Sequence, residues 1–215
     1  EDDKTVKLTL SVDPGKRIYV RRINFNGNVI TSDNVLRQNV SQMEGTWLSN
    51  SLLESSKGQL SRLTYMDEVE FETVRIPGKD DVVDVNFSVA EQPAGSFNAG
   101  IGYGDRTRLS LQAGIQQDNF LGTGKRVGFS INTVSYQRSA QITYNDPYFT
   151  IDGISLGGSI GYSEFDGEDF NIIRFNSKQW SVGANIGYPI NEYNRISFGL
   201  TYSDVELFNR GSYDQ

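Results

Sequence analysis

The part of the chain from Gly95 to Tyr202 contains seven segments in which apolar side chains alternate with polar residues or glycine. Phe97–Tyr103 is the first of these segments, and Ile196–Tyr202 is the last. A two-residue period places successive side chains on opposite faces of a β-strand. Several segments run to about nine residues or more, whereas an ordinary strand has roughly five or six. This repeated alternation predicts a large antiparallel sheet with one apolar face and one polar face.

The chain changes character between Glu91 and Ser96. After residue 94 it carries 17 of its 22 glycines and 19 of its 25 aromatic residues. Before the break, helix and strand patterns are mixed, which indicates a small α+β domain. After the break, strands follow one another as in a membrane barrel, where every second residue faces lipid. A soluble β-sandwich also has alternating strands, but long strands with glycine on the inward phase favour the barrel.

Composition excludes several classes of function. The formal net charge is −7, so broad attraction to nucleic acid phosphates is not expected. No apolar run approaches the ~20 residues that a membrane helix needs. The sequence has no cysteine and no histidine, which removes disulfides, thiolate or imidazole metal ligands and an imidazole base. No carboxylate pair and no nucleophile–base set stands out, so we predict no enzyme, no metal and no cofactor.

The segment before the break predicts a β-α-α-β-β module. A first strand over Arg17–Phe25 alternates in polarity and ends at the turn residues Asn26–Asn28. Two further strands, one beginning near Val69 and one covering Val83–Val89, are joined by the turn Pro77–Asp80. Two helices on one face of such a sheet suffice for a core of about 75 residues.

Two helices are predicted between the first and second strands of this module. Ser32 or Asp33 can cap a short first helix. The cluster Ser49-Asn50-Ser51 precedes the second predicted helix, and the pair Ser51 and Glu54 has the spacing of a capping box. Leucines at three- and four-residue steps form its predicted apolar stripe, namely Leu52, Leu53, Leu60 and Leu63.

An internal repeat suggests where the domains begin and end. Val6–Val12 matches Val83–Val89 in alternation and nearly in identity, at an offset of about 77 residues. We therefore predict that residues 1–13 are the final strand of a preceding repeat. Residues 14–92 are predicted to form the complete module, and residues 93–215 the N-terminal part of a barrel with about seven strands.

Two loop segments have functional alternatives. Leu121–Lys125 is similar to a phosphate-binding loop, but Asn119 stands where the first glycine of that motif belongs. Arg126 also stands where a serine or threonine should follow the lysine, so we predict a tight turn. The acidic segment Glu164–Asp169 could bind a divalent ion but misses the EF-hand spacing. A solvated loop is the favoured interpretation.

Several motifs together resemble one family. Arg17–Asn28 is similar to the opening of a POTRA domain. Gln42–Trp47 and the helix after it are similar to the last POTRA domain of the BamA family of outer-membrane protein assembly factors. Gly95–Gly104 resembles the first barrel strand of that family. Three segments resemble its periplasmic turns, namely Gln116–Gly124, Asn145–Thr150 and Pro189–Asn194.

The resemblance implies a barrel in the bacterial outer membrane with POTRA domains in the periplasm, which inserts other barrels into that membrane. Its implied partners are unfolded outer-membrane protein clients, outer-membrane lipid and the lipoproteins of the assembly machinery, BamD among them. The chain has only about seven strands and lacks the family's closing strand and its Arg-Gly-Phe-type loop motif, so we expect a fragment.

The first barrel strand is the candidate functional site. An open edge strand offers unpaired N–H and C=O groups, which recruit other strands and which lipid cannot satisfy. Glycines weaken this strand and make its pairing exchangeable, so that a client strand can add by β-augmentation. The predicted gate and template residues are Gly95, Phe97, Asn98, Gly100, Ile101, Gly102, Tyr103 and Gly104.

The POTRA module has a candidate site of its own. Arg37 lies on the first predicted helix, and Glu44 lies just beyond it. The resemblance makes both residues candidates to contact BamD, while solvated surface charges are an equally good interpretation.

Two other functions fit the same sequence. The main alternative is a POTRA-bearing barrel that secretes polypeptides through its lumen, which the complete sequence would distinguish by its closing strand. The second alternative is a soluble periplasmic adhesion or binding module, and independence of the refolded protein from detergent would favour it.

Overall fold

The computed structural model describes residues 17–105, 108–167, 176–191 and 194–208. The strand predicted within residues 1–13 lies outside these ranges, as do Glu168 and Asp169 of the acidic loop. Within them, no helix is long and apolar enough to cross a membrane.

A three-stranded sheet with two helices forms the first part of the described chain. Its elements are β1 Tyr19–Asn26, α1 Asp33–Arg37, α2 Asn50–Ser61, β2 Met66–Ile76 and β3 Lys79–Glu91. β3 is the central strand, parallel to β1 and antiparallel to β2. The predicted order β-α-α-β-β is confirmed.

A bulge in β1 explains how this strand contributes two side chains to the core. Val20 and Ile23 are 0% and 3% exposed, although an odd spacing would normally place them on opposite faces. The register with β3 shifts between Val20 and Arg22, which inserts one extra residue and returns Ile23 to the inner face. Other buried core residues come from the helices and from β2 and β3, namely Leu36, Leu53, Leu60, Val69, Val85 and Phe87.

The second helix begins earlier than its predicted capping box. Ser49 is the N-cap, and its hydroxyl oxygen accepts a hydrogen bond from the Leu52 N–H. Ser51 therefore lies inside the first turn, and the predicted cap at Ser51 is wrong. Leu53 and Leu60 are fully buried, but Leu52 is 38% exposed. A stripe centred on Leu53 and Leu60 leaves Leu52 at its margin, since adjacent helix positions differ by about 100°.

The second sheet has seven antiparallel strands in chain order. They are β4 Gly95–Gly104, β5 Arg108–Gln117, β6 Arg126–Val134, β7 Gln137–Asp146, β8 Ser155–Asp166, β9 Asn176–Pro189 and β10 Arg195–Phe208. Each strand pairs with the next one along the chain, without a register shift. Strands of 9 to 14 residues are long enough to cross a bilayer at a tilt. The predicted first strands of an antiparallel transmembrane barrel are confirmed.

Cross-strand partners give this sheet two chemically different faces. One row of directly opposed side chains is apolar, namely Ile115, Phe129, Ile142, Ile160 and Val182. The neighbouring row, on the other face, consists of small or polar residues, namely Asn98, Gly114, Ser130, Gln141, Gly161 and Ser181. The polar face is concave and lines a cavity of about 430 Å³. The alternation in the sequence therefore corresponds to two real faces of one curved sheet.

Candidate strand-templating edge

β4 lies at the edge of the seven-stranded sheet. Within the part of the chain that the structure describes, it pairs only with β5. The register is continuous from Gly95 opposite Gln117 to Gly104 opposite Arg108. One side of β4 is therefore bonded, and the other side presents a row of main-chain groups.

One hydrogen bond shows where each main-chain group of β4 points. The Asp118 N–H donates to the Ala94 carbonyl oxygen at 3.0 Å, so these two opposed residues form a hydrogen-bonded pair. In an antiparallel ladder such pairs alternate with pairs whose N–H and C=O groups point away from each other. By this alternation, the residues that direct both groups to the open edge are Phe97, Ala99, Ile101 and Tyr103.

The side chains of β4 divide between the two faces of the sheet. Phe97, Ile101 and Tyr103 belong to the apolar face and are 74%, 76% and 82% exposed. Gly102 belongs to the polar face and lies opposite Ser110. A Cβ on Gly102 would come within 2.6 Å of the Ser110 hydroxyl oxygen. Glycine at position 102 leaves room for the Ser110 side chain of β5, and it places no bulky side chain on the polar face of the edge strand.

Arg37 and Glu44 form an ion pair, with 3.1 Å between Arg37 Nη1 and Glu44 Oε1. Both side chains also bind the main chain of β1 at a single residue. Glu44 Oε1 accepts a hydrogen bond from the Ile23 N–H at 2.8 Å, and Arg37 Nη2 donates to the Ile23 carbonyl oxygen at 2.7 Å. The pair therefore covers the edge of β1 at Ile23, where an unpaired strand edge would otherwise be open.

The electrostatics of Glu44 follow from these contacts. The hydrogen bond from the Ile23 N–H and the Arg37 guanidinium hold the pKa of Glu44 below its ordinary value, against the opposing effect of partial burial. Because this pKa is lower in the folded chain, Glu44 stabilises the fold above its unfolded pKa. That contribution is lost as the pH falls through the folded pKa. Both side chains are 42% exposed, so a partner protein can still reach them.

A further set of residues, which the sequence did not indicate, joins the first module to the turn between β5 and β6. Asn119 Nδ2 donates to Thr31 Oγ1 at 2.7 Å, and Asn119 Oδ1 accepts from the Gly124 N–H at 2.7 Å. Asn119 and Thr31 are 7% and 3% exposed. The Ser32 N–H also donates to the Gly122 carbonyl oxygen at 3.0 Å.

Two more side-chain contacts extend this junction. The Thr64 hydroxyl donates to Asp118 Oδ2 at 2.7 Å. Burial alone would raise the pKa of Asp118, but hydrogen bonds from Arg126 and Thr64 outweigh it and lower that pKa. In the turn between β7 and β8, the Tyr148 hydroxyl donates to Asn39 Oδ1 at 3.1 Å. The first module thus rests on two turns at one end of the barrel sheet.

The sequence carried only a partial signal for this junction. Leu121–Lys125 is a turn, as predicted, and it opens with a hydrogen bond of 3.0 Å from the Gly122 N–H to the Asn119 carbonyl oxygen. Asn119 has a left-handed backbone with φ of 53°, which asparagine adopts more readily than most residues. Such a residue identifies the turn, but nothing in the turn sequence identifies Thr31 as its partner.

Family models match both parts of the chain. The model described as surface antigen variable number repeat, POTRA, matches residues 18–92, and the Omp85 superfamily domain matches residues 119–215. The outer membrane protein assembly factor BamA of Neisseria meningitidis serogroup B is 35% identical over 213 residues, which are 97% of this chain and 27% of that protein.

Solved structures show the same relationship. The crystal structure of BamA from Haemophilus ducreyi lacking POTRA domains 1-3 has a TM-score of 0.76 and 38% identity, over 92% of this chain and 37% of that chain. CdiB from Escherichia coli has a TM-score of 0.64 at 17% identity, over 89% of this chain and 38% of that chain. The likeness to CdiB shows a shared fold alone.

The two sheets and these matches define a POTRA domain followed by strands of an Omp85 barrel, and the chain belongs to the Omp85 superfamily. Within the superfamily, it is similar over almost its whole length to proteins named BamA. The chain spans about a quarter of the length of the Neisseria relative, since it covers 27% of that protein.

Proposed function

We propose that this chain is part of an outer-membrane protein assembly factor, which folds and inserts β-barrel proteins into the outer membrane by using β4 as a template. Residues 14–92 are its last POTRA domain, on the periplasmic side, and residues 93–215 begin its barrel. The observation that carries the proposal is the ladder between β4 and β5, which leaves the N–H and C=O groups of alternate β4 residues pointing away from β5. The names of the similar proteins support assembly rather than enzymatic chemistry.

The mechanism of templating follows from the lipid that surrounds the edge of β4. A strand edge in hydrocarbon leaves each N–H and C=O without a partner, which costs several kcal/mol per group. A client strand that pairs with Phe97–Tyr103 satisfies these groups and its own at the same time. The other edge of that client strand is then open to the next client strand. Because main-chain groups make the bonds, clients of many sequences can use the same edge.

Disulfide crosslinking along β4 tests the template. A client that adds to the open edge forms hydrogen-bonded pairs with Phe97, Ala99 and Ile101, and non-hydrogen-bonded pairs with the residues between them. Side chains approach more closely in non-hydrogen-bonded pairs, as a disulfide requires. Single cysteines at Asn98 and Gly100 of the complete protein should therefore crosslink to a client's terminal strand more strongly than cysteines at their neighbours.

The chain has no cysteine of its own, so single cysteines are simple to place. Crosslinks along β4 without this two-residue alternation would contradict pairing of the client as a strand. Client crosslinks confined to sites on the concave polar face, such as Gln141, would favour secretion through the lumen instead.

We also propose that Arg37 and Glu44 contact a lipoprotein of the assembly machinery. The family resemblance implies that this lipoprotein is BamD. Glu44→Gln keeps an oxygen that accepts from the Ile23 N–H but removes the charge. Glu44→Lys removes both, so loss of binding in Glu44→Lys alone indicates damage to β1. We expect Glu44→Gln to weaken capture of the lipoprotein by about thirtyfold or more in a pull-down with the complete protein, because loss of one member of a desolvated charge pair costs about 2 kcal/mol or more. Capture at the wild-type level by both variants would leave these residues a purely structural role.

A further inference from the structure

The junction between the POTRA domain and the barrel turns includes four buried polar residues that form hydrogen bonds across it. Thr31, Asn39, Asp118 and Asn119 are all less than 9% exposed, and each has a hydrogen-bond partner on the opposite side. An apolar interface would favour permanent contact. A hydrogen-bonded one separates more easily, because water replaces each lost bond.

The POTRA loop that meets the barrel turn is held in place from behind. Both carboxylate oxygens of Glu91 accept hydrogen bonds from three successive main-chain N–H groups, at 3.0 Å from Val29, 2.8 Å from Ile30 and 2.7 Å from Thr31. Glu91 is the last residue of β3, four residues before Gly95, where β4 begins. Residues Val29–Thr31 of the loop therefore form a rigid surface that the turn between β5 and β6 contacts.

The turn between β5 and β6 has an unfavourable backbone conformation that lets it pack against this loop. Asn119 and Leu121 both have φ of 53°, and Leu121 gains no burial in return, since it is 81% exposed. Gly122 packs so closely that a Cβ would collide with the Ile30 carbonyl oxygen. Such backbone conformations persist where the surroundings determine them, and they concentrate at functional contacts.

We propose that the turn between β5 and β6 is a latch that holds the POTRA domain against the barrel, and that Asn119 is its positioning residue. One amide group of Asn119 bonds the POTRA domain through Thr31 and shapes its own turn through Gly124. Loss of this group releases the docked position while both domains stay folded. The latch is a separate property from strand templating, and its test requires no client.

The test measures the distance between spin labels on the two domains of the complete protein in lipid. Cysteines at Glu54 on α2 and Ile190 in the turn after β9 carry the labels, and both positions are exposed. Asn119→Gly removes the side chain at a backbone conformation that glycine adopts freely. Thr31→Val removes the partner hydroxyl with little change in shape. Each variant should raise the ratio of separated to docked molecules about 2- to 10-fold, as for one neutral hydrogen bond.

Matched variants distinguish a latch from general damage to the turn. Leu121→Gly changes the other left-handed non-glycine residue of the same turn, which is exposed and, within the described residues, makes no such bond to the POTRA domain, so the wild-type distance distribution is expected. The double variant Asn119→Gly/Thr31→Val should separate less than the sum of the two single effects, because both changes remove the bond between Asn119 and Thr31. Wild-type distances in both single variants would overturn the proposal. Fully additive effects in the double variant would also overturn it.

Discussion

Replacement of Ile142 or Ile160 by arginine is expected to lower the free energy of unfolding of the complete barrel by about 2–4 kcal/mol. The two residues are directly opposed on β7 and β8. Phe129 and Val182 flank them in the same row, so they lie in the middle of the apolar face. Each is 52% exposed, and in a bilayer that exposed surface meets hydrocarbon. An arginine there loses its hydration and gains no partner.

The adjacent position on the other face supplies the control for this prediction. Gln141 precedes Ile142 in β7 but belongs to the concave polar face. Gln141→Arg should therefore cost much less, because its charge stays in water. A denaturant titration of the barrel in lipid vesicles measures both free energies. Equal losses of unfolding free energy at the two positions would contradict the assignment of one face to lipid and the other to the barrel lumen. The same contrast is expected between Leu111 and Gln112, and Leu200→Arg belongs with the lipid-facing changes.

The barrel strands could be predicted because their signal is local. In β7, Ile142 and Gln141 face different solvents, and neighbouring strands repeat the same contrast. A two-residue period is visible within a single strand and needs no knowledge of distant contacts. The alternation predicted over Arg17–Phe25 did not reveal the bulge in β1, which places both Val20 and Ile23 in the core.

The contacts that position the domains could not be predicted, because their partners are distant in sequence. Asn119 bonds Thr31 across 88 positions, and each residue alone fits an ordinary solvated turn. Arg37 and Glu44 were recognised as candidates, but their shared attachment to Ile23 depends on the packing of α1 against β1. The cap of α2 shows the same limit on a small scale. Ser49 and Ser51 are both chemically able to cap, and the surrounding backbone selects Ser49.

Replacement of Ile101 by proline in the complete protein is expected to stop client strands from pairing with β4. The Ile101 N–H points to the open edge, so proline removes a donor that a client needs and no bond to β5. Proline is tolerated in edge strands at positions of this kind. A client strand would bury an unpaired carbonyl oxygen in lipid opposite the proline, at several kcal/mol. Client crosslinks to cysteines at Asn98 or Gly100 should fall on the order of tenfold or more.

Two variants separate lost templating from lost folding. Ile101→Ala removes the same large side chain but keeps the N–H, so client crosslinks should stay near the wild-type level. Gly102→Pro removes an N–H that bonds β5 and should destabilise the barrel itself. If main-chain groups recruit the client, Ile101→Pro therefore combines a stable barrel with absent crosslinks. Wild-type crosslinking in Ile101→Pro would show that clients do not recognise β4 through its main-chain groups. An equal loss of crosslinking in Ile101→Ala would show the same.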